Sequence, residues 1–268
     1  NSHSFAAIVN KGFDFSYLDR ETLFHAIQRA LKNGYYQFLV FICKVMEKKI
    51  DQYKNTNSSI VDSENSVIFG NLSIFKFCYE HFEKCINIEK ALLLAVENDY
   101  KSIVEYIFEN ILAQNKILII NFYSILSKSI LSNSNDLFNY IFDGIPKVKP
   151  KSMERLDKIK LLSEACYNKK VEISKKITDF MLEFHKNKKN DFTIAFFNAA
   201  VSGSAELCQY FIDKKVLINY NLLLLQVKEL ATIKKDVLDI ITANITPKAK
   251  ELLISCYLKE VITIKNKS

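Results

Sequence analysis

Glycine and proline are scarce in this sequence. Its 268 residues include 5 glycines and 3 prolines. A fold rich in tight hairpins or in glycine-rich cofactor loops needs more of both, whereas long helices joined by short connections need few. The balance of 49% hydrophobic and 25% charged residues is that of a globular chain, not a disordered one. The composition therefore favours an all-α globular fold.

Long apolar runs and a secretory signal are also missing. The runs at residues 117–120 and 222–225 end after four residues, far short of the length that spans a bilayer. The sequence begins with Asn1 and not with methionine, so we expect either a short added leader or a piece of a longer chain. Together these features predict a cytoplasmic protein without a membrane span.

The six cysteines form no C-x-x-C pair, and most of them lie within apolar runs, as buried free thiols do. This usage favours a reducing, intracellular compartment. Cys78, His81 and Cys85 could share one helical face, but a structural zinc site needs a fourth ligand and none is nearby. No nucleophile signature surrounds any cysteine or histidine. We therefore expect core thiols, with no metal, no cofactor and no catalytic residue.

A repeated pattern runs through most of the chain. Its clearest copy starts at Ala199 and reads A-A-x-x-G-x-x-E-L-x-x-Y-F-I, with a turn at Gly203 between two apolar helices. Six looser copies occur at intervals of 29 to 36 residues. The turn residues of all copies are Gly34, Gly70, Asp99, Asn133, Lys169, Gly203 and Ile233.

Each copy has a physical logic as a pair of helices. Small residues at the end of the first helix let a neighbour approach closely, and Gly, Asn or Asp at most turns tolerate a positive φ. A polar residue three positions after the turn can satisfy N–H groups at the start of the second helix. One pair cannot bury its apolar face alone, whereas stacked pairs can, which predicts a solenoid. The polar residues in question are Gln37, Ser73, Ser102, Asp136, Glu172, Glu206 and Asp236.

A helix–turn–helix unit of about 33 residues with this pattern resembles an ankyrin repeat. The resemblance covers nearly the whole chain and implies one all-α solenoid domain, residues 1–268, of about seven repeats. A partial repeat at residues 1–18 and a capping helix at about 247–262 would complete it. The family's Thr-Pro-Leu-His motif is mostly missing, because Thr22 to His25 resembles it one turn too early. Tetratricopeptide-like and HEAT-like helix pairs are alternatives with a fixed 34-residue period or with longer units.

The resemblance also implies a function. Ankyrin repeats bind other proteins through a concave face of inner helices and loops, and the family shares no catalytic chemistry. We therefore expect a non-enzymatic protein–protein interaction module that binds a partner protein or peptide. An enzyme on a different α-solenoid is an alternative class, which a pocket of ionisable side chains with perturbed pKa values would favour.

Basic residues cluster in two connections of this chain, whose net charge is +7. Successive connections lie side by side along one edge of a stack, so the two clusters would form a positive edge. Such an edge suits an acidic peptide, whereas nucleic acid or another anionic surface is the alternative and a merely solubilising edge the simplest interpretation. The candidate partner-binding residues are Lys147, Lys149, Lys151 and Arg155, with Lys158 in the same connection, then Lys186, Lys188 and Lys189, and the aromatic Tyr220.

Overall fold

A computed structural model of the chain shows helical secondary structure in the residues that it describes. One parallel β-bridge, between Asp191 and Leu217, is the exception within them. The prediction of an all-α fold is therefore confirmed. The described residues are 20–45, 63–67, 70–83, 86–114, 118–132, 134–184, 191–219 and 233–244.

By its internal contacts the chain forms two compact units, Asn1–Ile120 and Asn121–Ser268. This division leaves the prediction of a single domain untested, because a stack whose members contact only their neighbours can be cut at any level. The predicted partial repeat at 1–18 and capping helix at about 247–262 lie outside the described residues.

The helices of the first unit lie in two layers. They are α1 (Arg20–Lys32), α2 (Tyr36–Val45), α3 (Ser63–Val67), α4 (Leu72–Phe82), α5 (Ile88–Glu97) and α6 (Lys101–Tyr106), which runs on into a π-helical turn at Ile107–Leu112. Helix α3 contacts α1 and α5 in one layer, and α4 contacts α2 and α6 in the other. Each odd-numbered helix also contacts the helix that follows it in the chain. The unit is thus a series of helix pairs that contact their neighbours.

The second unit repeats this arrangement. Its helices are α7 (Phe122–Leu131), α8 (Asn135–Val148), α9 (Pro150–Arg155), α10 (Lys158–Tyr167), α11 (Val171–Phe184), α12 (Thr193–Val201), α13 (Ala205–Asp213) and α14 (Lys235–Asn244). The first layer contains α7, α10 and α12, and the second contains α8, α11, α13 and α14, each in contact with the next. The short helix α9 contacts α8.

Most of the predicted turns have left-handed backbone conformation. The positive φ angles occur at Gly34 (70°), Gly70 (62°), Asp99 (56°), Lys169 (57°) and Gly203 (76°). Asn133 lies outside the described residues. Ile233 is the exception, because it is buried and is not among the described residues with positive φ. Five of the seven turns predicted from the sequence are therefore confirmed in conformation.

The same hydrogen bonds close these turns. At Asp99 the N–H of the turn residue donates to Val96 O at 3.2 Å, and the N–H of Tyr100 donates to Ala95 O at 2.8 Å. This pair of bonds is the Schellman end of a helix, which satisfies carbonyl groups that the helix leaves open. Equivalent pairs of bonds occur at Gly34, Lys169 and Gly203.

The residues three and four positions before each turn lie in the core. They are small or β-branched in most copies, which lets the two layers approach each other closely. Cys166 belongs to this set, and Cys208 is buried after the next turn; burial raises the pKa of both thiols to about 12. The buried pairs are Ala30–Leu31, Ser66–Val67, Ala95–Val96, Ser129–Ile130, Ala165–Cys166 and Ala199–Ala200.

Helix capping follows the sequence-based prediction at one second helix, where Asp236 Oδ1 accepts a hydrogen bond from Val237 N–H at 2.9 Å, and differs from it at others. Side chains one position after the turn, not three, accept hydrogen bonds from the first N–H groups at Asn71 and Ser134. The Glu206 carboxylate, predicted to help start α13, instead accepts a hydrogen bond from Lys175 in the neighbouring helix α11. First helices carry their own Asn or Asp caps at a regular spacing of 34 to 36 residues. These are Asn87, Asn121 and Asp157, together with Asp191, which lies one residue before the N-cap Phe192 and accepts a hydrogen bond from Thr193 N–H.

Candidate partner-binding surface

The first cluster of predicted basic residues lies on helices and not in a loop. Helix α8 continues through Pro146 to Val148, and α9 follows after one residue, Lys149. Lys147, Lys151 and Arg155 are exposed, whereas Lys149 is partly buried, and this burial lowers its pKa. The prediction of a long connection is therefore wrong at residues 147–155, which form a helical corner that we call the basic corner.

Lys158 is a structural residue and does not belong to the basic corner. Its side chain is buried, and its Nζ donates to Met153 O at 2.7 Å and to Leu156 O at 3.4 Å. Burial lowers the pKa of Lys158, while the nearby carboxylates of Glu154 and Asp157 act in the opposite direction. The ammonium group thus closes the end of α9, where helix carbonyls lack partners.

The remaining sequence-predicted binding residues cannot be placed beside this corner. Lys186, Lys188, Lys189 and Tyr220 lie outside the described residues, so a shared positive edge stays a prediction. Of the possible metal ligands, Cys78 is fully buried in α4, whereas the side chain of His81 and all of Cys85 lie outside the described residues.

Lysines of the second layer are paired with carboxylates of neighbouring helices. The Nζ–carboxylate distances are 2.6 Å for Lys176–Asp143, 2.7 Å for Lys175–Glu206 and 2.6 Å for Lys214–Asp179. The ring of Tyr210 lies between two of these ammonium groups, 5.8 Å from Lys175 Nζ and 5.3 Å from Lys214 Nζ. These contacts link α8 to α11 and α11 to α13. Much of the charge on the second layer is therefore neutralised by ion pairs within that layer.

The first layer of the second unit presents a regular outer side to solvent. Each of its three helices contributes residues nine, five and two positions before its turn, while the intervening positions are buried except for the half-buried Ser127 and Phe197. Leu131, Tyr167 and Ile194 are 60%, 62% and 57% exposed, which is unusual for apolar side chains of a packed helix. We call this surface the first-layer face; it consists of Ser124, Lys128 and Leu131 on α7, Lys160, Glu164 and Tyr167 on α10, and Ile194, Asn198 and Val201 on α12.

Hydrogen bonds between neighbouring turns keep the three rows of this face in register. Lys170 Nζ donates to Ser132 O at 2.9 Å, and Ser202 Oγ donates to Cys166 O at 3.0 Å. Asn198 Nδ2 adds a bond to Ser163 O at 3.1 Å. The residues next to Ser132, Cys166 and Ser202 are Leu131, Tyr167 and Val201, so these three apolar residues occupy equivalent positions on neighbouring helices, in a row that we call the apolar strip.

A polar pair occupies the centre of the first-layer face. The Tyr123 hydroxyl donates to Glu164 Oε1 at 2.6 Å, and Lys160 Nζ lies 4.7 Å from the centre of the Tyr123 ring. Burial and the Glu164 carboxylate together raise the pKa of Tyr123, so its hydroxyl stays a donor at neutral pH. Glu164 Oε2 is buried without a hydrogen-bond partner among the described residues, which leaves one acceptor for a water molecule or a partner's donor.

The first unit has a groove at its first described helix pair. Its volume is about 980 Å³, and it lies between α1 and the start of α2. Tyr35 is 60% exposed at its rim, and Arg29 supplies a positive charge. Its size suits a small ligand or a side chain of a partner. The lining includes Thr22, His25, Ala26, Arg29, Tyr35, Tyr36 and Phe38.

Comparisons of the chain with protein-family models, with curated proteins and with solved structures give no match. Function must therefore be argued from the surface itself. Sequence reasoning missed the first-layer face, although the signal was available. The same repeat register that marks the turns also fixes which positions of each first helix point away from the core.

Proposed function

We propose that this chain is a protein-interaction module of ankyrin-like helix pairs, and that its partner binds on the first-layer face. The observation that carries the proposal is the row of Leu131, Tyr167 and the half-buried Val201 on three neighbouring first helices, with a further exposed apolar residue, Ile194, two turns before Val201 on α12. Contiguous exposed apolar side chains with polar neighbours are typical of protein-binding surfaces. Stacked helix pairs hold such a surface rigidly, which lowers the entropic cost of binding.

The resemblance to ankyrin repeats supports the same proposal from the sequence. Helix pairs with a left-handed turn and neighbour-to-neighbour contacts are the arrangement that this resemblance implies. Side-chain hydrogen bonds between pairs join residues 31 to 41 positions apart, close to the period of the sequence pattern. On this proposal the layer of α7, α10 and α12 corresponds to the inner helices of the family.

Affinity capture with cross-linking and mass spectrometry tests the proposed function. The bait is the full chain, compared with a variant in which Leu131, Tyr167 and Ile194 are replaced by serine. We expect specific partners to cross-link near the first-layer face and to be lost with the variant. Phe184, 66% exposed at the end of second-layer helix α11, provides the control substitution Phe184→Ser. Identical partner sets for the wild type and the triple variant would contradict the proposal.

A second candidate function is binding to an anionic surface through the basic corner. Lys147, Lys151 and Arg155 are exposed and have no ion pair within the described part of the chain, in contrast to the paired lysines of the second layer. Binding to a 20-base-pair DNA duplex and to phosphatidylserine vesicles, titrated with salt, tests this candidate. A steep salt dependence that disappears in Lys147→Glu/Lys151→Glu supports it, and the absence of binding to both probes rejects it.

A further inference from the structure

The exposed charge of the first-layer face is mainly positive. Lys160 on α10 is exposed, and Lys169 is exposed at the turn that follows the same helix. The carboxylate on the face, Glu164, is partly buried and accepts the hydroxyl of Tyr123. A bound segment therefore meets the ammonium groups of Lys169 next to the apolar strip and of Lys160 two turns away on α10, while the two carboxylates of α10, Glu164 and its cap Asp157, already accept hydrogen bonds.

The second layer has the opposite character. Exposed carboxylates lie along α11 and α13, and several of them hold the lysines of that layer. They include Glu172 and Asp179 on α11 and Glu206 and Asp213 on α13, and Asp143 on α8 is exposed as well. A partner segment with negative charge is therefore disfavoured along α11 and α13 and favoured by the lysines of the first layer.

The size of the apolar strip limits the length of the bound segment. Leu131, Tyr167 and Val201 lie on three neighbouring helices, and packed helices are about 8–10 Å apart, so the strip is roughly 20 Å long. An extended chain advances about 3.3 Å per residue, so about six residues cross the strip.

We propose that the first-layer face binds an acidic segment of a partner protein that carries apolar side chains. Its apolar residues pack on the strip of Leu131, Tyr167 and Val201, and its carboxylates pair with Lys160 and Lys169. This inference rests on the proposed function and adds the chemistry of the partner. It also moves the predicted acidic partner from the basic corner to the first-layer face.

Selection from a defined library tests the inference directly. Phage that display random 12-residue peptides are panned against the full chain, and the selected peptides are synthesised and measured by fluorescence anisotropy. We expect enrichment of peptides that combine Asp or Glu with Leu, Ile or Phe. We expect Tyr167→Ala, and separately Lys160→Glu/Lys169→Glu, to weaken their binding roughly tenfold or more, as for anchor residues.

Matched variants control for exposure and for net charge. Tyr35→Ala removes a tyrosine of similar exposure, 60% against 62%, in the first unit. Lys147→Glu/Lys151→Glu makes the same charge change at the basic corner. Both controls should stay within about twofold of the wild type, and circular dichroism should show that every variant is folded. Peptides with Lys in place of Asp and Glu should bind Lys160→Glu/Lys169→Glu better than the wild type.

Three results would overturn the inference. They are enrichment of basic or uncharged peptides, binding that depends on Tyr35 or the basic corner instead of Tyr167, and no enrichment at all. Each of these is compatible with loss of captured partners in the Leu131/Tyr167/Ile194 variant, which would leave the proposed function standing. Retention of all partners by that variant would remove the proposed function itself.

Discussion

At the scale of single residues, Lys169 stands out because a side chain with a Cβ adopts a conformation that favours glycine. Its φ is 57°, and the equivalent position is Gly203 in the next helix pair, with φ 76°. A left-handed conformation costs a non-glycine residue about 1–2 kcal/mol. This cost is offset because the backbone N–H groups of the turn donate hydrogen bonds to Cys166 O and Ala165 O, which complete the end of α10.

Replacing Lys169 by glycine should stabilise the protein. We expect Lys169→Gly to raise the free energy of unfolding by about 0.5–1 kcal/mol, because the relief of strain exceeds the extra freedom of glycine in the unfolded chain. The measurement is the midpoint urea concentration of unfolding, which should rise while the dependence of the unfolding free energy on urea concentration stays the same.

Gly203→Ala is the matched control with the opposite sign. An added Cβ would meet the flexible Lys234 side chain at 3.3 Å, so the main effect is the backbone conformation. We expect a loss of about 1 kcal/mol. If Lys169→Gly lowered stability as well, the left-handed turn at Lys169 would be wrong.

For single residues, the sequence predicted the backbone conformation of the turns better than it predicted the hydrogen-bond partners of side chains. The turns at Gly34, Asp99 and Gly203 follow from local chemistry, because their φ angles depend on the residue and its immediate neighbours. The role of Glu206 does not, because its partner Lys175 is 31 residues away in the chain. A carboxylate in the first turn of a helix fits a dipole argument wherever its real partner lies.

At the scale of elements, the basic corner depends on one buried lysine. Helix α9 has six residues and is too short to be stable alone. Met153 and Leu156 anchor it by burial, and the Lys158 ammonium satisfies two of its carbonyl groups. The corner is therefore held by packing and by a side-chain cap.

Removing this cap should loosen α9. We expect Lys158→Met to lower the free energy of unfolding by about 1–3 kcal/mol, since two carbonyl groups lose a charged donor. Hydrogen exchange should increase at residues 151–156. The control is Lys160→Met, which removes an exposed lysine two residues further along the chain. It should leave the hydrogen exchange of these residues unchanged. Equal exchange in both variants would contradict the capping role.

The contact between α11 and α13 predicts a pH effect. Burial acts to raise the pKa of Asp179, but hydrogen bonds from Lys214 and Tyr210 outweigh it, and the net shift is downward. A carboxylate with a lowered folded pKa adds stability above its unfolded pKa of about 4. That stability is lost as the pH falls through the lower folded value.

Asp179→Asn tests this effect. At pH 6 we expect the variant to be less stable than the wild type by a few tenths of a kcal/mol to about 1 kcal/mol, as for a solvent-accessible pair. The difference in unfolding free energy between the variant and the wild type, measured by urea unfolding at each pH, should shrink as the pH falls from 5 to 2. A difference that stays constant over this range would show that Asp179 acts by packing and not by charge.

At the scale of the whole molecule, each unit is built from contacts between neighbouring helix pairs. In the second unit α12 contacts α10 and α13, while α7 and α8 lie further along the series. Stability in such an array is approximately a sum of local terms and neighbour interfaces. None of the helices in the described part of the chain has the length and apolar character that a membrane span needs.

A core substitution in α12 should therefore act locally. Phe196 is fully buried, and Phe196→Ala should cost about 3–5 kcal/mol in the helix pair that holds it. Hydrogen exchange measured by mass spectrometry should rise most in α12 and α13, less in α10 and α11, and least in α7 and α8. A uniform rise across all six helices would show that the unit unfolds as one cooperative body instead.

The sequence by itself determined the all-helical class, the spacing of the helix pairs and the positions of five turns, four of which carry the Gly or Asp that favours their left-handed conformation. Glycine scarcity, apolar periodicity and turn residues act over a few neighbouring positions, so they can be read from the chain alone. Only the tertiary structure shows that residues 147–155 form a helical corner and not a loop. Gly144 and Pro146, just before this segment, are unfavourable in a helix interior, yet α8 continues to Val148 with Ile145 fully buried between them. The first-layer face depends on both: the repeat register marks its positions along each helix, but only the packing of α7, α10 and α12 shows that residues about 35 positions apart lie on neighbouring helices.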